Sequence, residues 1–367
     1  MRIGIISERS DKRVALVPDV IKQLIEAKNS VLVESGAGLQ SYILDQQFEE
    51  SGAKVTTREE VLNNADMLVS IYRFSEELYE GLKDDTVVIS LFQPFNDNNI
   101  SKTLSSSKIT AFSMDMIPRI TLAQSMDVLS SMASIAGYRA VLEAANNLPR
   151  YFPMLTTAAG TIPPAKVLVL GAGVAGLQAI ATAKRLGGVV EAFDTRLAAK
   201  EEVESLGAKF VMVEGATDDK EAGGYAVEQT EEYKQKQQEL IQEKASKADV
   251  VITTAQLRGK PAPLLIREET IKSMKPGSVI VDLASSTGGN CELTKDNETI
   301  VAHEVTIIGN SDLAQEVPMH ASQLYAKNTF NFLKVLISED GTLNLDLENE
   351  IIKTSCIAHN GQDLYSK

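Results

Sequence analysis

The chain has 367 residues, of which 44% are hydrophobic and 23% charged, and its formal net charge is −14. The length predicts two domains, and the composition is that of an ordinary globular protein rather than a disordered one. The negative charge argues against binding to nucleic acid or to an anionic membrane, since both require clustered lysine and arginine.

Cysteine usage and the apolar stretches limit the cellular setting. Cys291 and Cys356 give neither a disulfide framework nor a metal-ligand spacing, so we expect a reducing, cytoplasmic compartment and no metal site. The charged start "MRIGIISERS" is not a secretory signal. The most apolar window, 167–183, contains three glycines and is shorter than the roughly 20 residues of a membrane helix. We therefore expect no direct membrane insertion.

Two series of short β-branched runs, with helix-like stretches between them, follow each other along the chain. The first series is "RIGII", "SVLVE", "DMLVSI", "TVVISL" and "ITAFSM". A helix is predicted within 125–152, and the second series follows: "KVLVLG", "VVEAFD", "KFVMVE", "DVVITTA", "GSVIVDLA" and "VTIIGN". Such alternation predicts parallel strands joined by helical crossovers.

The predicted fold class is therefore α/β, with two Rossmann-like, doubly wound parallel-sheet domains and a cleft between them. A second helical pattern over 319–337 returns the chain to the first domain, and 342–362 is predicted to add a last pair of short strands. The predicted domains are residues 1–129 completed by 319–367, and residues 130–318.

One polar segment, 214–244, interrupts the second series. A charge run of this kind is typical of an exposed loop followed by a solvated helix. The alternative is a flap that closes over a ligand, with Gly223 and Gly224 as the hinge and Tyr225 at its tip.

The most specific motif is "GAGVAG", which follows the predicted strand "KVLVL" and opens a predicted helix. In this setting Gly171 makes a tight turn, Gly173 lets the backbone approach a pyrophosphate, and Gly176 allows the helix to pack closely on the sheet. The helix N-terminus then offers N–H donors to the phosphates. The motif predicts a dinucleotide site.

The next strand ends on Asp194, which predicts the choice of dinucleotide. A carboxylate there accepts hydrogen bonds from ribose hydroxyls and repels a 2′-phosphate, so NAD is the expected cofactor. Arg196 complicates this expectation, because it could attract that phosphate, stack on the adenine or pair with a group nearby. A domain that has lost its nucleotide is the alternative without a ligand.

A dehydrogenase that acts on an alcohol or amine needs a positioned base, and the sequence offers no obvious one. The three histidines, His303, His320 and His359, are expected to be structural or exposed. Four polar side chains near the domain junction could bind a nicotinamide, ribose or pyrophosphate, or could simply cap a helix. They are Arg119, Gln124, Asp127 and Ser130. Dinucleotide binding without a base indicates direct hydride passage between two nicotinamide rings, the second of them on another subunit.

These motifs resemble a known family. "RVALVP", "VESGAG", "MDMIPRITLAQSMDVLSSMASIAGYRAV", "AFDTR", "GGYA" and "GKPAPLLI" are similar to the NAD(H)-binding component of proton-translocating NAD(P) transhydrogenase. The resemblance runs nearly end to end. It implies two Rossmann-like domains, hydride transfer to NADP(H) on a separate component, and coupling to proton movement through a membrane-spanning component. It also implies a homodimer, held at the cytoplasmic face of a membrane through its partners.

The resemblance also implies roles for individual residues. Candidate catalytic residues at the nicotinamide end are Arg119, Gln124 and Asp127, with Ser130 beside them and Gln124 facing the partner's nucleotide. The remaining cofactor-binding candidates are Gly171, Gly173, Val174, Gly176, Asp194, Thr195, Arg196, Gly224 and Tyr225. Leu122 departs from the family, where many members have a basic residue. The chain ends at Lys367 without membrane helices, which implies an enzyme whose membrane component is a separate chain.

Alanine dehydrogenase, which has the same fold, is the rival. Its family carries a histidine where this chain has Gln93, and an aspartate where it has Ser286. The lysine that binds the substrate carboxylate is also missing from "LVSIYRF", although Arg73 is adjacent. A non-catalytic NAD-sensing or scaffold protein is the third hypothesis.

Overall fold

The computed structural model describes residues 1–97, 99–213, 231–338 and 340–365. Its contacts divide the chain into two compact units. Unit 1 consists of Met1–Met132 with Gln315–Lys367, and unit 2 of Ala133–Ala314. The functional domain boundaries predicted above stay a prediction.

The first segment of unit 1 alternates strands with helices. Its strands are β1 (Arg2–Ile5), β2 (Ser30–Glu34), β3 (Lys54–Thr56), β4 (Met67–Tyr72), β5 (Val87–Leu91) and β6 (Thr110–Ser113). Its helices are α1 (Pro18–Glu26), α2 (Asp45–Glu50), α3 (Arg58–Asn64), α4 (Glu76–Glu80) and α5 (Ile100–Ser106). All six strands pair in parallel in the order β6-β5-β4-β1-β2-β3.

The chain leaves unit 1 through α6 (Val128–Asn147) and builds unit 2. Its strands are β7 (Leu155–Thr157), β8 (Gly160–Ile162), β9 (Lys166–Leu170), β10 (Val189–Phe193), β11 (Lys209–Phe210), β12 (Val250–Thr253), β13 (Val279–Asp282), β14 (Glu298–Ala302) and β15 (Val305–Gly309). Its further helices are α7 (Val174–Arg185), α8 (Ala199–Ser205), α9 (Glu231–Lys247) and α10 (Glu268–Ser273). The main sheet has the order β11-β10-β9-β12-β13-β15-β14, and only β14 runs antiparallel.

The last segment returns to unit 1 through α11 (Pro318–Leu336) and α12 (Glu350–Ser355). Two short strands complete it, β16 (Cys356–His359) and β17 (Gln362–Asp363). Strand β16 pairs antiparallel with β6, so it extends the first sheet at that edge. The predicted final pair of strands is present, but α12 before it was not predicted.

Both sheets have apolar cores on their two faces, which explains why the strands are continuous hydrophobic runs. In unit 2, Val167 and Val169 of β9 belong to one core, while Leu168 and Leu170 belong to the other. Alternate side chains of a strand point to opposite faces, so each strand contributes to both cores. The α/β class with two doubly wound, mainly parallel sheets is thus confirmed.

Some elements differ from the sequence-based expectation. The run "KFVMVE" forms strand only at Lys209–Phe210. The helix predicted in the polar segment is present as α9, and its Ile241 and Ala245 are buried, so that helix is not solvated on all sides. Gly223, Gly224 and Tyr225, on which the flap hypothesis rests, lie outside the described residues.

Candidate functional site

The glycine turn joins β9 to α7 in unit 2. Gly171 has φ of +103°, and a Cβ there would lie 2.4 Å from Thr254 Oγ1. A Cβ on Gly176 would lie 1.8 Å from the carbonyl oxygen of Gly171. Both contacts are impossible for a real side chain, so the turn and the close helix approach both require glycine.

Gly173 has a different environment. It precedes the first residue of α7. Among the residues that the structure describes, no side chain caps that helix, and a Cβ built on Gly173 would meet no heavy atom within 4 Å. The first N–H groups of a helix lack intrahelical acceptors and carry the positive end of its dipole. Open space at such a terminus fits a pyrophosphate, so the residues present fit a bound dinucleotide.

This turn lies where the strand order of unit 2 reverses. Chain order runs outward from β9 to β11 on one side, and from β12 onward on the other. In doubly wound sheets a ligand binds outside the carboxyl ends of the strands at this switch point. Thr254, which follows β12, donates its hydroxyl to the carbonyl of Gly171 at 3.2 Å. The ends of the two central strands are thereby tied together.

Asp194, at the end of β10, is held in place by four hydrogen bonds. Its Oδ2 accepts the backbone N–H of Ala172 at 2.7 Å, and its Oδ1 accepts that of Arg196 at 2.8 Å. The guanidinium of Arg196 adds Nε to Oδ1 and Nη2 to Oδ2, each at 3.0 Å. The hydrogen bond to Asp194 raises the pKa of Arg196 above its already high value. The ribose-binding candidate is therefore also a structural brace of the glycine turn. Thr195 is exposed, as is much of Val174.

A second brace in unit 2 was not predicted from the sequence. The fully buried side chain of Asn290 donates from Nδ2 to the carbonyls of Ala255 at 2.9 Å and Pro263 at 2.8 Å. Its Oδ1 accepts the N–H of Ala255 at 3.0 Å. Asn290 thus holds both ends of the loop that follows β12. The sequence signal was present, as "TGGNC" after a predicted strand, but a turn motif does not reveal which loop its asparagine will bind.

Four of the predicted residues lie in unit 1, around the start of α6. Asp127 caps that helix, since Oδ1 accepts the N–H of Ser130 at 2.9 Å and Oδ2 accepts its hydroxyl at 2.6 Å. Gln124 is exposed in a 3₁₀ helix, Thr121–Met126, and Arg119 is exposed before it. The structure therefore joins Asp127 to Ser130, as the capping alternative predicts. It shows no side-chain hydrogen bond from Arg119 or Gln124 to them among the described residues.

Side chains of α11 hydrogen-bond to the backbone of the 3₁₀ helix Thr121–Met126. Asn328 and Asn331 both donate from Nδ2 to the carbonyl of Ser125, at 2.8 and 3.1 Å. Two amides on one carbonyl fix the backbone next to Gln124. Sequence separation hid this contact, because nothing local connects Ser125 to a helix about 200 residues away.

The surroundings of the three histidines, as far as the structure describes them, do not indicate a catalytic base. His303 Nε2 lies 3.1 Å from Glu268 at the surface, and His359 Nδ1 lies 2.9 Å from the hydroxyl of Thr110. His320 is exposed on α11. No group of three or more potential metal ligands was found among the residues that the structure describes.

A carboxyl group with a raised pKa lies after β1 in unit 1. Burial raises the pKa of Glu8 to about 7, although the N–H of Ile71 donates to it at 2.7 Å. Nearby, Asp11 and Arg13 form an ion pair with both side chains 1% exposed. The Arg13 guanidinium lies 5.5 Å from the ring centre of Tyr72. These groups form a buried polar cluster, in contrast to the open glycine turn.

Comparisons with known proteins agree with this architecture. The family model "Alanine dehydrogenase/PNT, N-terminal domain" matches residues 4–136, and the model for the C-terminal domain matches residues 140–366. The chain is 45% identical to an NAD(P) transhydrogenase alpha-subunit chain of Rhodospirillum rubrum, over 98% of this chain and 97% of that one. A crystal structure of transhydrogenase from Sinorhizobium meliloti matches with a TM-score of 0.91 at 43% identity, covering 99% of this chain and 100% of that one. Alanine dehydrogenase of Staphylococcus epidermidis is 27% identical over 87% of this chain and 82% of that protein.

Proposed function

Because the chain belongs to the alanine dehydrogenase/PNT family, as both family models and the full-length relatives show, we propose that it is the NAD(H)-binding subunit of an NAD(P) transhydrogenase. It is an oxidoreductase that uses NAD. The reaction is NADPH + NAD⁺ → NADP⁺ + NADH or its reverse, in which one hydride moves and no proton enters or leaves the rings.

The observation that carries the proposal is the glycine turn with Asp194, seen in a chain 45% identical to a transhydrogenase subunit over nearly its whole length. Bound NAD(H) supplies the hydride donor or acceptor. The residues of the chain bind and orient the dinucleotide. The first turn of α7 faces the phosphates, and Asp194 accepts hydrogen bonds from the ribose hydroxyls. A reaction that needs only orientation and close approach explains why no histidine is placed as a base.

Each part of the dinucleotide has its own proposed set of residues. Arg119, Gln124, Asp127 and Ser130 serve the nicotinamide end, with Gln124 turned toward the partner's nucleotide. The pyrophosphate residues are Gly171, Gly173, Val174 and Gly176, and the adenosine residues are Asp194, Thr195 and Arg196. Gly224 and Tyr225 remain cofactor-binding candidates and lie outside the described residues. The functional domains are residues 1–129 with 319–367, and residues 130–318.

The partners are an NADP(H)-binding subunit and a membrane-spanning proton-channel subunit, with a second copy of this chain completing a homodimer. None of the helices in the described residues is long and apolar enough to cross a membrane. Peripheral attachment at the cytoplasmic face through the partners follows from the proposal.

The decisive experiment mixes the purified chain with an NADP(H)-binding partner, NADPH and an NAD analogue whose reduced form has its own absorbance. We expect reduction of the analogue only when both proteins are present. A parallel assay supplies L-alanine and NAD without partner. NADH formation there, with no transfer in the mixture, would replace the proposal with alanine dehydrogenase activity.

Gln124→Asn tests the nicotinamide end. The shorter amide should leave NADH affinity nearly intact and slow hydride transfer about tenfold, since the group orients rather than anchors. Gln46→Asn, at an exposed position of α2, is the matched control. An unchanged transfer rate in Gln124→Asn would remove that residue from the proposed site.

A further inference from the structure

The hydrogen-bonding capacity of Asp194 is fully used in the protein alone. A carboxylate offers about four lone-pair sites. Two of these accept the backbone N–H groups of Ala172 and Arg196, and two accept Nε and Nη2 of the Arg196 side chain. Asp194 has no acceptor site left for a ribose hydroxyl.

The two kinds of bond differ in how readily they can be given up. The backbone donors belong to the glycine turn and to the end of β10, so they stay with the fold. The Arg196 side chain is 36% exposed, whereas that of Asp194 is 8% exposed. The guanidinium can therefore leave toward water, while the carboxylate stays in place.

We propose that Arg196 is a displaceable occupant of the ribose site, which competes with NAD(H) for Asp194 and so weakens and tunes dinucleotide binding. The inference rests on the proposed NAD(H) site and deepens it. When the ribose hydroxyls donate to Asp194, the guanidinium moves off the carboxylate. The negative charge of Glu202 on α8 also acts on Arg196.

The same pair also sets how strongly the site rejects a 2′-phosphate. A bare carboxylate repels that phosphate, but a guanidinium bound to it in a bidentate fork cancels much of the repulsion. Arg196 therefore lowers the preference for NADH over NADPH. Removing its charge should sharpen that preference, although arginine removal from a nucleotide site ordinarily weakens binding.

The test measures NADH and NADPH dissociation constants of the whole chain by fluorescence titration, for the parent and for Arg196→Gln. We expect NADH to bind about threefold to tenfold more tightly in the variant, a modest gain because the displaced ion pair is partly exposed. NADPH should bind no better, so the ratio of the two constants should rise. Unchanged or weaker NADH binding in a folded Arg196→Gln protein overturns the inference.

Arg196→Lys distinguishes the effect of the two parallel hydrogen bonds from that of the positive charge. It also provides a second test if the glutamine variant folds poorly. Lysine keeps the positive charge but cannot make two parallel bonds to a carboxylate. We expect tighter NADH binding with NADPH affinity retained. If the glutamine variant does not fold, unchanged or weaker NADH binding in Arg196→Lys overturns the inference. Arg185→Gln, at an exposed position in the last turn of α7, is the control for loss of one cation.

Asp194→Asn distinguishes failure of this inference from failure of the site. If Asp194→Asn leaves NADH binding unchanged, the adenosine end of the proposed site is wrong. The proposed competition between Arg196 and NAD(H) is then wrong as well. If Asp194→Asn weakens binding but Arg196→Gln does not tighten it, only the competition is wrong.

Discussion

Units 1 and 2 each contain six parallel strands in the same order. The connection from the first strand to the first helix nevertheless differs between the two units. In unit 2, residues 171–173 join β9 to α7, and the described part of the chain leaves the space at the helix N-terminus open. In unit 1, residues 6–17 join β1 to α1 and bury Glu8, Asp11 and Arg13. The same sheet topology therefore occurs with an open helix N-terminus in unit 2 and with a closed polar cluster in unit 1. The connection, not the strand order, determines what each unit can bind.

Gly176→Ala should have the largest effect, because it breaks the turn of unit 2 directly. The new methyl would lie 1.8 Å from the carbonyl oxygen of Gly171, and backbone cannot give way as a side chain can. We expect a loss of about 3 kcal/mol or more in the free energy of unfolding, measured by denaturant titration. A variant as stable as the parent would show that the close approach is dispensable.

Glu8→Gln tests the closed cluster of unit 1. The folded protein holds the proton of Glu8 up to about pH 7, whereas an ordinary glutamate loses it near 4.5. The folded state thus binds more protons between these values, so the parent should lose stability as pH rises through that window. The difference in unfolding free energy between variant and parent should change by about 3 kcal/mol from pH 4 to pH 8. If this difference in unfolding free energy stays constant with pH, the pKa of Glu8 is not raised in the folded protein.

Gly173→Ala sharpens the comparison. The protein has room for the new methyl group, whereas a bound pyrophosphate would occupy the same space. We expect the unfolding free energy to change by less than about 1 kcal/mol. NADH affinity should fall about tenfold, because the methyl occupies the space at the helix N-terminus. Fluorescence titration and thermal unfolding on one preparation separate the two effects. Equal NADH binding in variant and parent would place the phosphates elsewhere.

Asn331→Ala should have the smallest effect, on the 3₁₀ helix of unit 1. One of the two amides that hold Ser125 is removed and Asn328 remains, so stability should fall by less than about 1 kcal/mol. Hydride transfer in the reconstituted complex should slow about threefold at unchanged NADH affinity, because the backbone beside Gln124 is held less firmly. Asn344→Ala, a surface amide in the same unit, is the control. Equal losses of rate in both variants would deny Asn331 a positioning role.

The elements that were not predicted from the sequence lack a local signal, each for its own physical reason. Strand β14 meets β15 through His303 and Glu304, both with positive φ. Such a turn is ordinarily marked by Asn-Gly or a similar pair, and its absence hid the hairpin. The exposed hairpin of β7 and β8 has no buried face to give it a hydrophobic pattern, since all three residues of β8 are exposed. Short helix α12 carries too few turns for its period to be recognised.

The sequence by itself determined the two series of strands, the α/β class, the glycine turn and the family. Local spacing encodes the first three, because glycine positions and the period of apolar residues depend only on neighbours along the chain. The family follows from the resemblance of longer motifs to known proteins. Only the tertiary structure decided that Arg196 covers Asp194, that Asn290 ties the loop after β12, and that α11 holds the backbone beside Gln124. The last two contacts depend on the packing of elements distant in sequence, whereas the Arg196 pair depends on how the chain turns directly after β10. These pairings determine which predicted acceptors are free to bind a ligand.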